Sequence, residues 1–532
     1  MNPQQNYDVI VIGSGIGGLS CASILAQIGK KKVLVIERHS KAGGFTHTFK
    51  RETKYEWDVG LHYVGQMQNG SPVRALADLI TSGQVKWNRL PDPYDVFIYP
   101  DFRFGARSGQ ANLEQDLVAS FPQEKKAIKK YFNDLNRVSA WTSRFVLAGT
   151  LPGWLHFISP VLTARGSALA AQTTGEYLLR NINDPYLRAV LVSQWGDYGL
   201  PPVSSSLVVH AAIVNHYLDG GYYPAGGSKT IADSIIPVIE QAGGRVLLNH
   251  QVTGILIQDN RAAGVTAVKR KSDDSSEQIF LAPLVVSDAG AWITYGQLLP
   301  ESYQHAFVKQ VQNYPGSVAN VTLYVGFKED PRRILPVQGE NYWIYDGYDH
   351  DNLYERRNEL LQGEARIAFL SFPSLKRGEA QNHTAEIMSF VDYEPFKRWA
   401  DQPLKKRDQE YQQLKEKISQ ALLGLVEKHL SGFKQQVAYY ELSTPLSTEY
   451  YTGFPGGNIY GIPATPSRYR QKWIGPRTPL KGLFLTGTDA VGHGIVGALM
   501  GGVVTAALIL GLPWSMIKIF RTALKYSKNL PE

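Results

Sequence analysis

Three glycines near the N-terminus have the spacing that lets a protein backbone hold a pyrophosphate group. Gly13, Gly15 and Gly18 follow the pattern G-x-G-x-x-G. In such a segment the first glycine makes a tight strand-to-helix turn, the second lets the backbone approach the phosphates, and the third lets the helix pack closely on the strand. Glu37, further along, can accept hydrogen bonds from a ribose and disfavours a 2′-phosphate. The pattern predicts a dinucleotide site that does not take NADP.

The flanking residues predict the elements that position these groups. Val9–Ile12 and Val33–Ile36 are apolar runs, typical of strands buried on both faces. Between them, Leu19, Leu25 and their neighbours repeat at helical spacing, and Gly29 closes the helix. The pyrophosphate would lie at the helix N-terminus, where free N–H groups and the positive end of the dipole converge. The alternative is a glycine-rich turn without a ligand.

A second glycine-rich segment lies near the other end of the chain. Residues 482–502 read GLFLTGTDAVGHGIVGALMGG, in which residues 483–486 predict a strand and the glycines stud the following turn and helix. Asp489 stands just after this strand and can bind the ribityl or phosphate side of a flavin dinucleotide. The helix N-terminus can stabilise a reduced, anionic flavin ring. Two such segments building one site favour FAD over a simple NAD-binding domain.

Composition limits the other possibilities. The chain has 532 residues, 43% hydrophobic and 19% charged, which suits a globular protein of two or three packed units. A net charge of +8 permits an anionic membrane surface, whereas no basic and aromatic stretch resembles a nucleic-acid motif, so we expect no nucleic acid. Cys21 is the only cysteine, which excludes an intrachain disulfide and fits a reducing compartment.

We expect an α/β fold of the two-dinucleotide-binding-domain type, with a Rossmann-type FAD domain and a mixed α+β substrate domain. The predicted units are a discontinuous FAD-binding domain, residues 1–85, 216–295 and 436–510; a substrate- and membrane-facing domain, residues 86–215 and 296–435; and an interfacial tail, residues 511–532.

Residues 141–165 and 503–528 are apolar, broken by proline and flanked by basic residues, which favours lying in a membrane interface over spanning it. A buried helical hairpin is the alternative for residues 141–165.

Several motifs occur in one order along nearly the whole chain: the N-terminal fingerprint with Glu37, the Gly43-Gly44 pair, Tyr-Pro-x-Gly-Gly at residues 223–227, and the glycine-rich residues 487–502. In this order they resemble the superfamily of phytoene desaturases, carotenoid isomerases and retinol saturases. Residues 58–65 (DVGLHYVG) and 494–499 (GIVGAL) are similar to the retinol saturase branch. The resemblance implies FAD, a hydrophobic polyene substrate, either a retinoid or a carotenoid, and membrane association. It does not fix the reaction, because relatives saturate, desaturate or isomerise.

The motifs and the resemblance together give a predicted set of cofactor-binding residues: Gly13, Gly15, Ile16, Gly17, Gly18, Glu37, Arg38, Gly43, Gly44, Gly60, Leu61, His62, Val252, Gly487, Asp489, Gly494, Ile495 and Val496. Val252 is included because the resemblance implies that its backbone contacts the adenine. His62 and Tyr63 lie in a segment that resembles one beside the flavin ring in the related enzymes. Polar filling between strand and helix is the alternative for both.

Saturating a conjugated C=C bond requires a hydride on one carbon and a proton on the next, so a general acid must lie near the flavin. The predicted catalytic residues are His62, Tyr63 and His493. None has metal-ligand spacing, so we expect no metal. We expect a retinol 13,14-reductase-like saturation of a retinoid or carotenoid. The alternatives are carotenoid isomerisation or desaturation, and a non-catalytic flavin- or lipid-binding protein.

Two further expectations concern the surroundings of the protein. Only the G-x-G-x-x-G at residues 13–18 begins a predicted βαβ unit that ends in an acid, so the electron donor is open between NAD(P)H bound without a fingerprint and another reductant. The polar N-terminus shows no signal peptide. This absence predicts a bacterial or cyanobacterial origin. Together with the two apolar segments described above, it leads us to expect a peripheral membrane protein on the cytoplasmic side.

Overall fold

The strands of the computed structural model fall into two main sheets and three small ones. The structure describes residues 7–151, 153–270, 276–312, 316–471 and 473–530. Within them the strands are β1 Val9–Ile12, β2 Val33–Ile36, β3 Thr48–Arg51, β4 Tyr55–Asp58, β5 Trp87–Arg89, β6 Asp95–Ile98, β7 Arg103–Ala106, β8 Tyr222–Pro224, β9 Arg245–Leu247, β10 His250–Gln258, β11 Arg261–Lys269, β12 Glu277–Leu281, β13 Val285–Ser287, β14 Ala319–Phe327, β15 Asn341–Tyr345, β16 Ile367–Ser371, β17 Thr384–Val391, β18 Val437–Ser443 and β19 Leu483–Leu485.

Helices cover the faces of these sheets and form a separate layer between residues 110 and 217. The α-helices of the described residues are α1 Ile16–Gln27, α2 Pro72–Ile80, α3 Gln110–Ser120, α4 Lys125–Thr150, α5 Ser159–Ala164, α6 Ser167–Ala170, α7 Thr174–Asn181, α8 Pro185–Leu191, α9 Leu207–Tyr217, α10 Lys229–Gln241, α11 Gly290–Ile293, α12 Glu301–Gln312, α13 His350–Glu355, α14 Pro373–Lys376, α15 Gln409–His429, α16 Phe433–Gln436, α17 Pro445–Thr452, α18 Gly494–Ile509 and α19 Trp514–Lys528.

The first main sheet is parallel and has the strand order β19-β13-β1-β2-β9. Its central strand β1 pairs with β2 through Ile10 and Leu34 and with β13 through Ile10 and Val285. All four residues of β1 and of β2 are buried, as their uninterrupted apolar runs require of strands covered on both faces. Helices α10 and α18 pack against α1. The predicted α/β fold with a Rossmann-type sheet is confirmed.

The second main sheet is mostly antiparallel and has the order β18-β14-β17-β16-β15-β6-β7. Every residue of β14 is buried, and the amphipathic helix α15 packs on the adjoining elements. One pair, β6 with β15, is parallel. The predicted division into domains remains a prediction; β18, which it places in the cofactor segment, pairs with β14 in this second sheet.

The two apolar segments predicted to lie in a membrane interface are each partly buried, and their contact with a membrane stays a prediction. Residues 125–150 form the single helix α4, and Trp141 is buried with its Nε1 donating to the Thr163 carbonyl; Pro152 lies outside the described residues. Residues 503–508 are buried in α18 against α1, so the predicted interfacial tail does not begin at Val503. A continuous apolar run fits a buried helix equally well. In the part of the chain that the structure describes, we find no helix long and apolar enough to cross a membrane.

Candidate functional site

One large cavity of about 2180 Å³ runs through the protein and joins the glycine-rich segments to a channel between helices. At one end it is lined by the turn after β1 and by the residues that follow β2. At the other it is lined by residues of α4, α9 and α19. Pockets for one small ligand usually measure ~300–1,000 Å³, so this volume is large enough for a dinucleotide together with a second, elongated ligand.

Most of the predicted site residues line this cavity. They are Gly13, Gly15, Ile16, Gly17, Glu37, Arg38, Gly43, Gly44, Gly60, His62, Tyr63, Val252, His493, Gly494, Ile495 and Val496. Gly18, Leu61, Gly487 and Asp489 are not among the lining residues. Gly18 packs against the Gly13 carbonyl, as its predicted role in helix–strand packing requires, and Leu61 is a core residue.

The glycines at positions 13, 15, 17, 18, 43, 44 and 487 pack closely and leave no room for side chains. We call this group the glycine cradle. Gly43 donates its N–H to the Ser14 carbonyl at 3.0 Å, which places the second glycine pair beside the first. Gly44 has φ of +55°, and a Cβ there would lie 3.0 Å from Cα of Gly15. A Cβ on Gly17 would lie 2.5 Å from Cα of Gly487. The N- and C-terminal glycine segments therefore touch at Gly17 and Gly487.

Glu37 lines the cavity at the end of β2 and also fixes the cradle. Its Oε2 accepts hydrogen bonds from the Ser14 N–H at 2.9 Å and the Ser14 hydroxyl at 2.7 Å, and its Oε1 accepts from the His39 N–H at 2.7 Å. A carboxylate has about four acceptor sites, so one site is left for a ribose hydroxyl. The predicted ribose role of Glu37 is compatible with this geometry and stays a prediction.

We expect Glu37→Gln to weaken FAD binding about 10- to 100-fold. The amide keeps the shape of the side chain but loses the charge, and charge-assisted hydrogen bonds contribute roughly 1.5–3 kcal/mol each. Titration of the flavin-free protein with FAD measures the effect. Glu240→Gln, at an exposed position on α10, is the matched control. Equal affinities for the Glu37 variant and the control would remove Glu37 from the site.

Asp489 is used differently from its predicted role at the ribityl or phosphate side of FAD. Its Oδ2 accepts from the Ala291 N–H at 2.8 Å and its Oδ1 from the Ile462 N–H at 2.9 Å. The side chain is 2% exposed. Because both oxygens are engaged with backbone donors away from the cavity wall, Asp489 holds the loops around the second glycine segment together and does not contact the cavity.

Asp288, for which we predicted no role, lies inside the glycine cradle instead. A Cβ on Gly15 would lie 2.5 Å from its Oδ2, and a Cβ on Gly17 2.6 Å from its Oδ1. Burial raises the pKa of the Asp288 carboxyl to about 7; the N–H groups of Gly18 and Gly15 oppose this, and the charges of Glu37 and Asp489 add to it. The only available signal was an acid directly after a buried strand.

We expect Asp288→Asn to change how stability depends on pH. The pKa of this carboxyl is 3.8 in the unfolded chain and about 7 in the folded protein. Its contribution to the free energy of unfolding is therefore complete below pH 3.8 and is lost as the pH rises through 7. The full contribution is on the order of 4 kcal/mol. Asparagine resembles the protonated acid, so the variant should gain stability over the wild type between pH 4 and 8. Denaturant unfolding of both proteins across this range checks it, and parallel curves would contradict it.

His62 contacts a buried acid on the second sheet. Its Nδ1 lies 2.8 Å from Oε2 of Glu386, whose Oε1 accepts from the Asp58 N–H at 2.9 Å. Burial raises the pKa of Glu386, and the neighbouring His62 opposes the shift. Within the described residues Nε2 of His62 has no hydrogen-bond partner. The contact orients the imidazole at the cavity wall and leaves Nε2 available to a ligand.

His493 lines the cavity, but its environment disfavours the predicted role as a proton donor. Its Nε2 donates to the Ile462 carbonyl at 2.7 Å, and Arg468 lies beside it. Burial, with the Arg468 charge, lowers the pKa of His493 to about 3. The ring is therefore neutral at physiological pH, and its Nδ1 has no partner in the described part of the chain. A neutral imidazole held in this way can accept a hydrogen bond from a ligand.

Tyr63 lies between two acids. Its hydroxyl is 3.0 Å from Oδ2 of Asp95 and 2.8 Å from Oδ2 of Asp197. Its ring stacks on Tyr217 with a centroid distance of 4.1 Å. Burial raises the pKa of Tyr63 well above its ordinary value, and the charge of Asp197 adds to this. Tyr63 is thus a fixed, protonated phenol at the cavity wall. Neither aspartate was predicted, because their contacts join residues far apart in sequence.

Comparison with known proteins decides the family. The family model for flavin-containing amine oxidoreductases matches residues 16–510. The chain belongs to this family. It is 35% identical to the all-trans-retinol 13,14-reductase of Danio rerio and 34% identical to that of Homo sapiens, each match covering 95% of this chain and 86% of the relative. It is 25% identical to prolycopene isomerase 1 of an Oncidium hybrid cultivar, with 94% and 83% covered. These matches confirm the predicted retinol saturase and carotenoid isomerase relationship.

Solved structures of amine oxidases share the fold. Cyclohexylamine oxidase from Brevibacterium oxydans has a TM-score of 0.59 at 18% identity, with 97% of this chain and 99% of that chain covered. A putrescine oxidase variant with a redesigned cofactor site has a TM-score of 0.61 at 17% identity, with 95% and 99% covered. The protein is an FAD-dependent oxidoreductase, as predicted. Its residues fit FAD, because the cradle leaves no room for side chains where a pyrophosphate must pass and the cavity presents unpartnered nitrogens on His62 and His493.

The expected location is wrong. We expected a bacterial or cyanobacterial protein at the cytoplasmic side of a membrane, and that expectation depended on the N-terminal residues. The retinol reductases that match over 95% of the chain come from zebrafish and human. The relationship to animal proteins contradicts the predicted origin and the location that followed from it.

Proposed function

We propose that this protein saturates a C=C bond of a conjugated polyene lipid, either a retinoid or a carotenoid, as an FAD-dependent reductase. One observation carries the proposal: the cavity that the glycine cradle lines is also lined by apolar side chains of the second sheet and of α9. The names of the relatives, retinol 13,14-reductases at 34–35% identity, support a polyene over an amine.

The walls of the channel suit a long apolar ligand. Phe369, Met388 and Phe390 line it from the second sheet, and Val209 and Ile213 line it from α9. Transfer of a polyene into this channel removes apolar surface from water at roughly 25 cal/mol per Å². An amine substrate would gain less there, because a cation in an apolar channel loses its hydration.

FAD, when bound, supplies or accepts a hydride at the ring. The chain's own residues supply the rest. Glu386 orients His62, and the phenol of Tyr63 is held by Asp95 and Asp197 at the same wall. The aromatic and aliphatic lining excludes water from the bond to be reduced. The predicted catalytic roles of His62 and Tyr63 stay proposals, and His493 is proposed to accept a hydrogen bond from a ligand.

A carotenoid cis–trans isomerase is the second candidate, and the similarity to prolycopene isomerases favours it. The same cradle and channel serve both reactions. Isomerisation leaves the substrate mass unchanged, whereas saturation adds two hydrogens, so the product distinguishes them.

A non-catalytic role also has a precedent, since a relative at 30% identity from Danio rerio is named an inactive all-trans-retinol 13,14-reductase.

We propose two partners beside the substrate. The first is a two-electron donor such as NAD(P)H, because reduction of a C=C bond consumes a hydride for each product. The second is a lipid surface at the channel mouth, from which a polyene can enter. Leu147 and Ile517 line the cavity and are about half exposed, and Trp514 at the start of α19 is 77% exposed. Apolar side chains beside a channel suit contact with acyl chains.

Anaerobic reoxidation tests the proposed function. The flavin is reduced with dithionite, excess reductant is removed, and all-trans-retinol or a carotene is added. Recovery of oxidised flavin absorbance in step with added polyene supports a reductase. A spectrum that stays reduced with every polyene, while a chemical oxidant restores it, contradicts the proposal and leaves isomerisation or binding.

A further inference from the structure

The hydrogen bonds among Tyr63, Asp95 and Asp197 require that one of the two acids is protonated. The Tyr63 hydroxyl is within hydrogen-bond distance of both carboxyl groups, at 3.0 Å and 2.8 Å. A hydroxyl donates one hydrogen bond, and an ionised carboxylate donates none. Two hydrogen bonds therefore require that one aspartate carries a proton and donates it to the phenol oxygen.

Asp95 is the ionised member. Its Oδ1 accepts from Asn341 Nδ2 at 2.9 Å, and its Oδ2 accepts from Gln194 Nε2 at 2.8 Å and from Trp343 Nε1 at 3.3 Å. Burial raises the pKa of Asp95, and these hydrogen bonds together with the charge of Lys376 oppose the rise. Three N–H donors and a nearby cation compensate a buried carboxylate. A protonated Asp95 would leave the same donors facing a weaker acceptor.

Asp197 has the opposite environment. The one side-chain hydrogen bond to its carboxyl group among the described residues comes from Tyr63. Burial raises its pKa well above the ordinary value, and the charge of Asp95 adds to this. Among the described residues, none of the titratable groups that interact electrostatically with Asp197 is a cation; they are Tyr63, Tyr94, Asp95, Tyr198, Tyr217, Tyr345 and Tyr460. Asp197 lines the cavity, whereas Asp95 does not.

We propose that Asp197 is the general acid that protonates the polyene. This inference rests on the proposed saturase function and names the proton donor for it. The O–H bond of Asp197 breaks, and a C–H bond forms at one carbon of the substrate double bond. The adjacent carbon would receive the hydride that FAD supplies when bound and reduced, so two hydrogens and two electrons would be added in total. A solvent proton later restores the Asp197 carboxyl.

After the proton transfer, Tyr63 stabilises the carboxylate of Asp197. Its ring is held by stacking on Tyr217, so the phenol oxygen stays in place and only its hydrogen turns. After proton loss, the O–H group can swing from Asp95 to Asp197, because Asp95 keeps its three N–H donors. Tyr63 is therefore a positioning residue in this scheme, and Asp197 is the catalytic one.

Asp197→Asn and Asp95→Asn separate the two acids. Asparagine imitates a protonated aspartate, since its amide can donate to Tyr63, so Asp197→Asn should keep the fold and the flavin affinity. Asp95→Asn places an amide where an anion accepts four hydrogen bonds, so it should lower the thermal midpoint more. Asp351→Asn, outside the cavity lining, is the control for removal of an aspartate elsewhere.

Two readouts are taken on the flavin-loaded proteins. Infrared difference spectra at neutral pH should show that Asp197→Asn loses the C=O stretch of one protonated carboxyl relative to the wild type, whereas Asp95→Asn and the control do not. The absorption of Asp288, whose pKa is raised to about 7, should be the same in all of them. Single-turnover saturation of retinol by the reduced enzyme should slow ~10²- to 10⁴-fold in Asp197→Asn. The wild-type rate should fall as the pH rises through the pKa of Asp197, because the acid is then ionised.

An unchanged rate in Asp197→Asn, or loss of the infrared band in Asp95→Asn instead, overturns the assignment. Failure of the proposed function is visible separately, because the wild type itself would then form no saturated product. In that case the acid role falls with it, whatever the infrared spectra show.

Discussion

Replacement of Gly17 by alanine is expected to abolish FAD binding. A Cβ at this position would lie 2.5 Å from Cα and 2.7 Å from N of Gly487, and both of these are backbone atoms. No side-chain rotation relieves such contacts, so the two glycine-rich segments must move apart. Overpacking of this kind costs about 1–3 kcal/mol, and the displaced segments are the ones that must enclose the pyrophosphate. We expect affinity for FAD to fall at least ~100-fold, measured by titration of the flavin-free protein.

The matched control is Gly149→Ala, which lies in α4 with no heavy atom within 4 Å of the added Cβ. Alanine is preferred over glycine inside a helix by about 1 kcal/mol, so this variant should bind FAD normally. Flavin retention by the Gly17 variant equal to that of the control would show that the contact between the two segments is not needed for the cofactor site.

Tryptophan in place of Ala212 is expected to slow the turnover of polyenes strongly without loss of FAD. Ala212 lies on α9 between buried Ala211 and Ile213, and its exposed surface lines the channel part of the cavity. An indole there would occupy the space proposed for the substrate. The cost of repacking a channel wall is about 1–3 kcal/mol, which corresponds to a loss in kcat/KM of about 10- to 100-fold, and more if the channel closes.

Steady-state kinetics and flavin absorbance together check this prediction. Ala111→Trp, on the exposed side of α3 and outside the cavity lining, adds the same side chain where no ligand is expected. The control should match the wild type in both readouts. A variant at Ala212 that turns over as fast as the control would place the substrate elsewhere.

The parts of the site that are local in sequence could be predicted. The turn between β1 and α1, the strand β2 and the acid Glu37 lie within one short βαβ unit, whose hydrophobic pattern and glycine spacing define its geometry. The second glycine segment could be assigned for the same reason, although its contact with Gly17 could not. Asp489 was misassigned because an acid after a strand can satisfy nearby backbone donors as readily as a ligand.

The parts that depend on long-range packing could not be predicted. Glu386 reaches His62 because β17 lies beside the segment that follows β4, and nothing in the sequence near either residue indicates this. Asp197 and Asp95 meet Tyr63 from two separate elements. The apolar residues 503–508 fit a buried helix and an interfacial helix equally well by composition. Only their packing on α1 shows that they are buried.

The central claim is that this FAD-dependent oxidoreductase saturates a polyene, and the mass of the product tests it most directly. Wild-type enzyme with chemically reduced flavin is incubated anaerobically with all-trans-retinol, and separately with a carotene, and the products are analysed by mass spectrometry. Our account predicts a product heavier than its substrate by two hydrogens, formed only when the flavin is reduced. An unchanged mass with altered chromatographic retention would indicate an isomerase, and a product two hydrogens lighter, formed with oxidised flavin, would indicate a desaturase. Either result would contradict the account.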